Sequence, residues 1–128
     1  MSTNSVSNVS LILEIKGKFQ INCELKRHLS PKTVGIITRS IPLTGNVHKF
    51  GISGIYFIAE ITSGVERAKC EFKKGDIAFY PLGNCICFFY KDTKSSKSMT
   101  PIGKINTNID DLTQAVVGDE ILFYDDTG

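Results

Sequence analysis

Few residues in this chain have the type and spacing for chemistry. Cys85 and Cys87 stand as C-x-C beside Gly83-Asn84, with Cys23 and Cys70 far off and two histidines, His28 and His48. A structural zinc site takes four ligands, with paired cysteines two to four residues apart. Thiols at i and i+2 of one strand point the same way without the geometry for bridging. The set reads first as buried free thiols, and second as a metal or redox site on Cys85, Cys87 and one of His28 or His48. Asp110, Asp111, Asp119, Asp125 and Asp126 cluster late, where helix capping and a solvated C-terminus account for them better than paired acid-base work. Lys91, Lys94 and Lys97 recur at every third position of KDTKSSKSMT. No Gly-rich nest or helix N-terminus accompanies them, so the stretch reads as a mobile solvated loop, not a phosphate site. Neither histidine has a nucleophile motif nearby, and both read as surface residues. No catalytic residue, metal or cofactor is expected from these patterns.

The bulk numbers point the same way. A chain of 128 residues affords one domain with one core. Hydrophobic residues at 41%, charged residues at 22% and a net charge of +2 describe an ordinary globular protein, with no signal for nucleic acid. No apolar run approaches the roughly 18 residues of a membrane span, and MSTNSVSN lacks the start of a signal peptide. A cytoplasmic protein without membrane contact is expected.

The elements that must position these residues are mostly strands. Residues 1–8 are Ser/Asn-rich and read as a flexible tail, leaving 9–128 as a single domain. Val9, Leu11, Leu13 and Ile15 form one face of a strand, and Phe19, Ile21, Cys23 and Leu25 one face of the next. Gly17 between them supplies the positive φ of a two-residue primed turn. Ser30 as N-cap, Pro31 at the first position and Val34, Ile37 and Ile41 mark a helix that Pro42 stops. Gly75 to Tyr90, GDIAFYPLGNCICFFY, holds two runs with apolar residues on both faces, pinched at Pro81-Leu82-Gly83-Asn84. Gly83 there permits a left-handed backbone, and Asn84 tolerates one. Leu43 to Gly54 reads as loop with one short strand, Ile55 to Ile61 as a strand, and Pro101 to Asn106 and Glu120 to Asp125 as the last two. Asp110 caps a brief helix carrying Leu112, Ala115 and Val116. About eight strands and two short helices leave too few helices to cover an open sheet. A mainly β, closed eight-stranded barrel is the economical fold, with Phe19, Ile77, Phe79, Phe88, Ile121 and Phe123 inside.

At this point the residues resemble a known family. Ser30 to Val34, SPKTV, is similar to the helix entry of cyclophilins, and Gly75 to Pro81, Cys87-Phe88-Phe89 and Ile102-Gly103-Lys104-Ile105 resemble cyclophilin strands in the same order. The likeness runs from Leu11 to Asp125 and is nearest to small uncharacterised cyclophilin-like proteins of archaea and bacteria. It implies an eight-stranded closed barrel, a helix over each open end and a peptide groove on the barrel's outside. The family's groove phenylalanine falls on Phe89, its glutamine on Cys87, its groove histidine near Met99 and its catalytic arginine on Phe57 or Ile58. The Phe-Met-x-Gln segment is absent, and the chain has no Trp.

The resemblance therefore implies a groove at Phe89, Tyr80, Cys87 and Met99 without the isomerase donors. Alternation turns Tyr80 and Phe89 away from the barrel interior on adjoining strands. They should share an exposed aromatic patch beside the lysines, unless a loop or second subunit covers the rings. The expected function is a module binding a peptide, a protein loop or a small ligand. The alternative is a weak peptidyl-prolyl isomerase.

Overall fold

The computed structural model describes residues 8–126. The tail expected over residues 1–8 lies outside them except for Asn8, which opens the first strand. That strand, β1 (Asn8–Ile15), buries every second residue, and β2 (Phe19–Lys26) repeats the alternation beside it. The turn between them is one residue longer than a two-residue primed turn. Ile15 pairs with Phe19, Lys18 N–H donates to the Ile15 carbonyl at 2.9 Å, and Gly17 holds φ 79°.

The helix α1 (Pro31–Ser40) begins at Pro31 as expected, but Ser30 does not cap it. Its hydroxyl donates to the Pro101 carbonyl at 2.6 Å, tying the helix to the sheet. The open helix N–H groups turn to a distant carboxylate instead. Lys32 N–H donates to Glu66 Oε2 at 3.1 Å and Thr33 N–H to Glu66 Oε1 at 2.9 Å, with the Thr33 hydroxyl on the same oxygen at 3.0 Å. Side-chain oxygens at a helix N-terminus satisfy donors that have no partner within the helix.

The remaining strands are β3 (Leu43–Asn46), β4 (His48–Phe50), β5 (Gly54–Ile58), β6 (Lys69–Phe72), β7 (Asp76–Tyr80), β8 (Cys85–Phe89), β9 (Thr93–Ile105) and β10 (Glu120–Asp125). Their order across the sheet is β3-β10-β1-β2-β9-β7-β8-β5-β4, with β6 added to β9. The expected closed eight-stranded barrel is thus corrected to a curled ten-stranded sheet that hydrogen bonds do not close. Its two edges, β3 and β4, are consecutive in the chain and separated only by Val47. Val47 bonds sideways, to the Asp119 carbonyl at 2.8 Å and from Gly118 N–H at 3.0 Å. The seam where β3 approaches β5 is filled by a side chain. The Phe57 ring lies so close to Gly45 that a Cβ there would come within 2.7 Å of it.

The interior is one apolar cluster that includes Leu11, Leu13, Ile77, Phe79, Phe88, Ile121 and Phe123, all fully buried, with Phe19 half-buried at its rim. Phe123 meets Phe88 edge-on at 5.5 Å and Phe57 at 6.3 Å, geometries that aromatic quadrupoles favour. Two short helices bury apolar residues on it: Val34 and Ile37 from α1, and Leu112 from a 3₁₀ helix (Ile109–Gln114). Asp110 does not cap the latter. Asn108 precedes it in the left-handed region, Ala115 is buried just past its end, and Val116 is exposed.

The stretch Lys91 to Thr100, expected as a mobile loop, is mostly strand. From Thr93 onward β9 pairs with β6, then with β7 and β2. Its first half shows little apolar alternation because only Met99 and Thr100 are fully buried there. Pairing with β6 holds it in place instead.

Candidate functional site

The outer face of β5, β8 and β7 carries Tyr56, Cys85, Cys87, Phe89, Ala78 and Tyr80, the residues that alternate with the interior set. A second apolar cluster forms on this face from Phe72, Ala78, Cys85, Cys87, Phe89 and Met99, with Phe50, Tyr56 and Tyr80 packed against it. Phe89 is fully buried: Phe72 stacks on it at 5.1 Å and 14°, and Phe50 meets its edge at 5.3 Å. The expected exposed pair of Tyr80 and Phe89 is therefore corrected. The strand β6 covers Phe89, as a packed apolar exterior requires, and Tyr80 is half-buried.

Beside this covered patch the same face opens into a trough of about 740 Å³. One wall is β4 and its turn into β5, with Lys49, Phe50 and Ile52; the opposite wall is the start of β9, with Lys94 and Lys97. Tyr56, Ile58, Tyr80, Cys85 and Cys87 lie between. Of the four expected groove residues, Tyr80 and Cys87 line the trough, whereas Phe89 and Met99 sit in the buried cluster and do not. The two positions considered for the family's arginine separate: Phe57 is interior and fully buried, and Ile58 faces the trough at 49% exposure.

Local backbone shapes the trough's end. Tyr80 to Asn84 is a turn closed by Gly83 N–H on the Tyr80 carbonyl at 3.3 Å. The left-handed residue is Asn84, at φ 54°, and not Gly83. Gly83 is needed for closeness: a Cβ there would lie 3.1 Å from both the Tyr80 ring and Cys85 Sγ.

Burial pushes the Cys85 thiol above its ordinary value against the pull of Lys97, and burial, reinforced by Cys85, pushes Cys87 well above it. A neutral thiol is a weak nucleophile, and Cys85 and Cys87 present soft, polarizable surface to the trough. The Cys85 thiol donates to the Gly83 carbonyl at 3.1 Å. His48 stacks on Tyr56 at 5.1 Å, and the carbonyl of exposed His28 accepts a bond from Arg67 at 2.5 Å. Among the described residues no three His, Cys, Asp or Glu side chains come together as a metal site.

Sequence reasoning missed one wall of this site, Lys49 to Ser53, because it lies within Leu43 to Gly54, whose three glycines at 45, 51 and 54 read as loop with one short strand. His48 and Phe50 alternating around Lys49 were the available signal. Among the described residues no helix is long and apolar enough to cross a membrane.

The family model described as Cyclophilin-like matches residues 9–124. The solution structure of the hypothetical protein AF2241 from Archaeoglobus fulgidus is similar in fold, with a TM-score of 0.79 and 22% identity over 98% of this chain and 99% of that one. No curated protein matches the sequence. The match over nearly the whole described chain, on a curled sheet with its outward face partly open, shows that the chain belongs to the cyclophilin-like family.

Proposed function

We propose that this chain is a binding module whose outer-face trough holds an extended peptide or a protein loop, and that it is not an efficient prolyl isomerase. One observation carries the reading: an open trough of about 740 Å³ in which two large aliphatics, Ile52 at 79% and Ile58 at 49% exposure, stand beside half-buried tyrosines. Exposed apolar surface gathered in a concavity, rather than scattered singly, is the mark of a recognition site.

The chemistry argues against isomerisation. Rotation about an X-Pro bond meets a barrier of ~18–20 kcal/mol, lowered when a donor reaches the prolyl nitrogen as amide resonance breaks. The candidate arginine positions hold Phe57 and Ile58, and the glutamine position holds the neutral thiol of Cys87. None of these offers a strong donor. The four cysteines suit a reducing compartment such as the cytoplasm.

The test is a heteronuclear NMR titration of the protein with a panel of unlabelled eight-residue peptides, with and without proline. Movement of the Ile58, Tyr80 and Cys87 amides supports the reading. A panel that moves none of them at millimolar concentration sinks it.

A further inference from the structure

We propose that Cys85 and Cys87 form a two-thiolate site for Cu(I), a soft monovalent metal ion, in the floor of the trough. The site is independent of the peptide reading, although it shares the same face. Cys85 and Cys87 alternate with the interior residues Ile86 and Phe88, so both thiols leave β8 on its outer face. Cross-strand partners frame them without separating them: Ile58 and Tyr80 flank Cys85, and Tyr56 and Ala78 flank Cys87.

The spacing suits an atom between the sulfurs better than a bond between them. Residues i and i+2 of a strand have Cα atoms about 6.6 Å apart with their side chains side by side, at the far limit of disulfide geometry. A metal held by both sulfurs spans what a single S–S bond does not. Both cysteines are free thiols. The other two lie elsewhere, Cys23 in the interior cluster and Cys70 on β6, its Sγ 3.5 Å from the Ser98 hydroxyl.

Ligand chemistry selects the ion. The outer cluster of Phe72, Ala78, Cys85, Cys87, Phe89 and Met99 has sulfur as its only side-chain donor atom, which hard cations do not take. Structural zinc takes four ligands, and among the described residues no third His, Cys, Asp or Glu joins this pair. Cu(I) accepts two thiolates and favours sulfur-rich surroundings. Burial holds both thiols neutral, so binding takes up one Cu(I), forms two Cu–S bonds and releases two protons to solvent. The bound unit carries one negative charge. Lys97 stands beside the place where that charge develops: its Nζ lies 5.3 Å from the ring centre of Tyr80, the cross-strand partner of Cys85. Cys85, at 8% exposure against 1% for Cys87, is the thiol that an entering ion meets first.

The experiment titrates the full chain anaerobically with Cu(I) in excess glutathione, with bathocuproine disulfonate as the coloured competitor. A single equivalent is expected to bind, to move the amides of Tyr80, Cys85 and Cys87 in NMR spectra, and to show sulfur neighbours by X-ray absorption. Cys85→Ala and Cys87→Ala should each weaken it at least about a hundredfold, beyond what loss of a residue behind the ligands costs. Cys70→Ser should leave it unchanged. Thermal midpoints without metal separate a lost ligand from a lost fold, and Cys85→Ala, nearer the opening, serves should Cys87→Ala fold poorly. Copper that stays with glutathione, equal binding by the Cys85→Ala and unaltered chains, or loss of binding in Cys70→Ser overturns the assignment. The peptide titration contains no metal, so the two readings fail separately.

Discussion

Phe72 stacks on Phe89 with their centres 5.1 Å apart and their planes within 14°. The ring that the family likeness placed in the groove is therefore roofed by this chain's own β6, and the open concavity on this face lies beside it, at Tyr80 and Ile58. Burial of this kind makes Phe89 a packing residue. Phe72→Ala and Phe89→Ala should each cost about 3–5 kcal/mol, while Lys94→Ala, on an exposed side chain, stays within about 0.5 kcal/mol. Urea midpoints compared across the three variants decide it, and a Phe89→Ala midpoint near that of Lys94→Ala would mean that β6 does not seal the patch.

Much of this arrangement was legible in the sequence, for identifiable reasons. Val9 to Ile15 and Phe19 to Leu25 alternate because one face of each strand is buried and the other is not, so their pairing and inward residues followed directly. Ile77, Phe79 and Phe88 were assigned inward by the same parity. Parity says which way Phe89 points and nothing about what lies over it. The cover comes from Phe72, seventeen residues earlier, through the pairing of β6 with the polar start of β9. That pairing sets Lys69, Glu71 and Phe72 against Met99, Lys94 and Thr93, too few apolar residues for an alternating pattern to announce it. Glu66 is the same case at longer range: a helix cap from thirty-odd residues away leaves no spacing to read. Ring closure was an inference from the cost of free edges, and the edges here are managed by a short bent segment through Val47 instead.

Where β2 crosses β9, Gly103 lies opposite Leu25, and a Cβ at this position would stand 2.2 Å from the Glu24 carbonyl oxygen and 2.9 Å from Leu25 Cα. Both neighbours are backbone of the central sheet and cannot swing aside. Gly103→Ala should cost about 2 kcal/mol or more by overpacking, whereas Gly64→Ala, with open space around it, stays within about 0.5 kcal/mol. Thermal melts of the two variants check this, and equal midpoints would show that the strands can part without penalty.

For catalysis, the absent donor at Phe57 and Ile58 sets the expectation. Loss of one preorganised donor typically removes roughly two to three orders of magnitude in rate. Exchange spectroscopy on an Ala-Pro peptide should show isomerisation slower than a complete cyclophilin site by at least that factor. Exchange as fast as a complete site gives would require a donor elsewhere in the trough and would remove the argument for a pure binding module.

Glu66 makes the stability of this fold depend on pH in a stated direction. Partial burial disfavours its charge, but the Thr33 and Lys32 N–H groups and the Thr33 hydroxyl outweigh that and hold the carboxyl below its ordinary value. A carboxyl whose folded value is depressed stabilises the fold at pH above its unfolded value and loses that contribution as pH falls through the folded one. Glu66→Gln keeps the shape and removes the charge that the helix N-terminus favours. Near neutral pH it should cost about 1 kcal/mol, the size of a lost cap. The difference between the two proteins should start to shrink as pH drops past the ordinary glutamate value of ~4.3 and vanish below the depressed one. Urea unfolding of both across that range measures it directly. A gap that stays constant with pH would show that Glu66 acts on α1 through shape and not through charge.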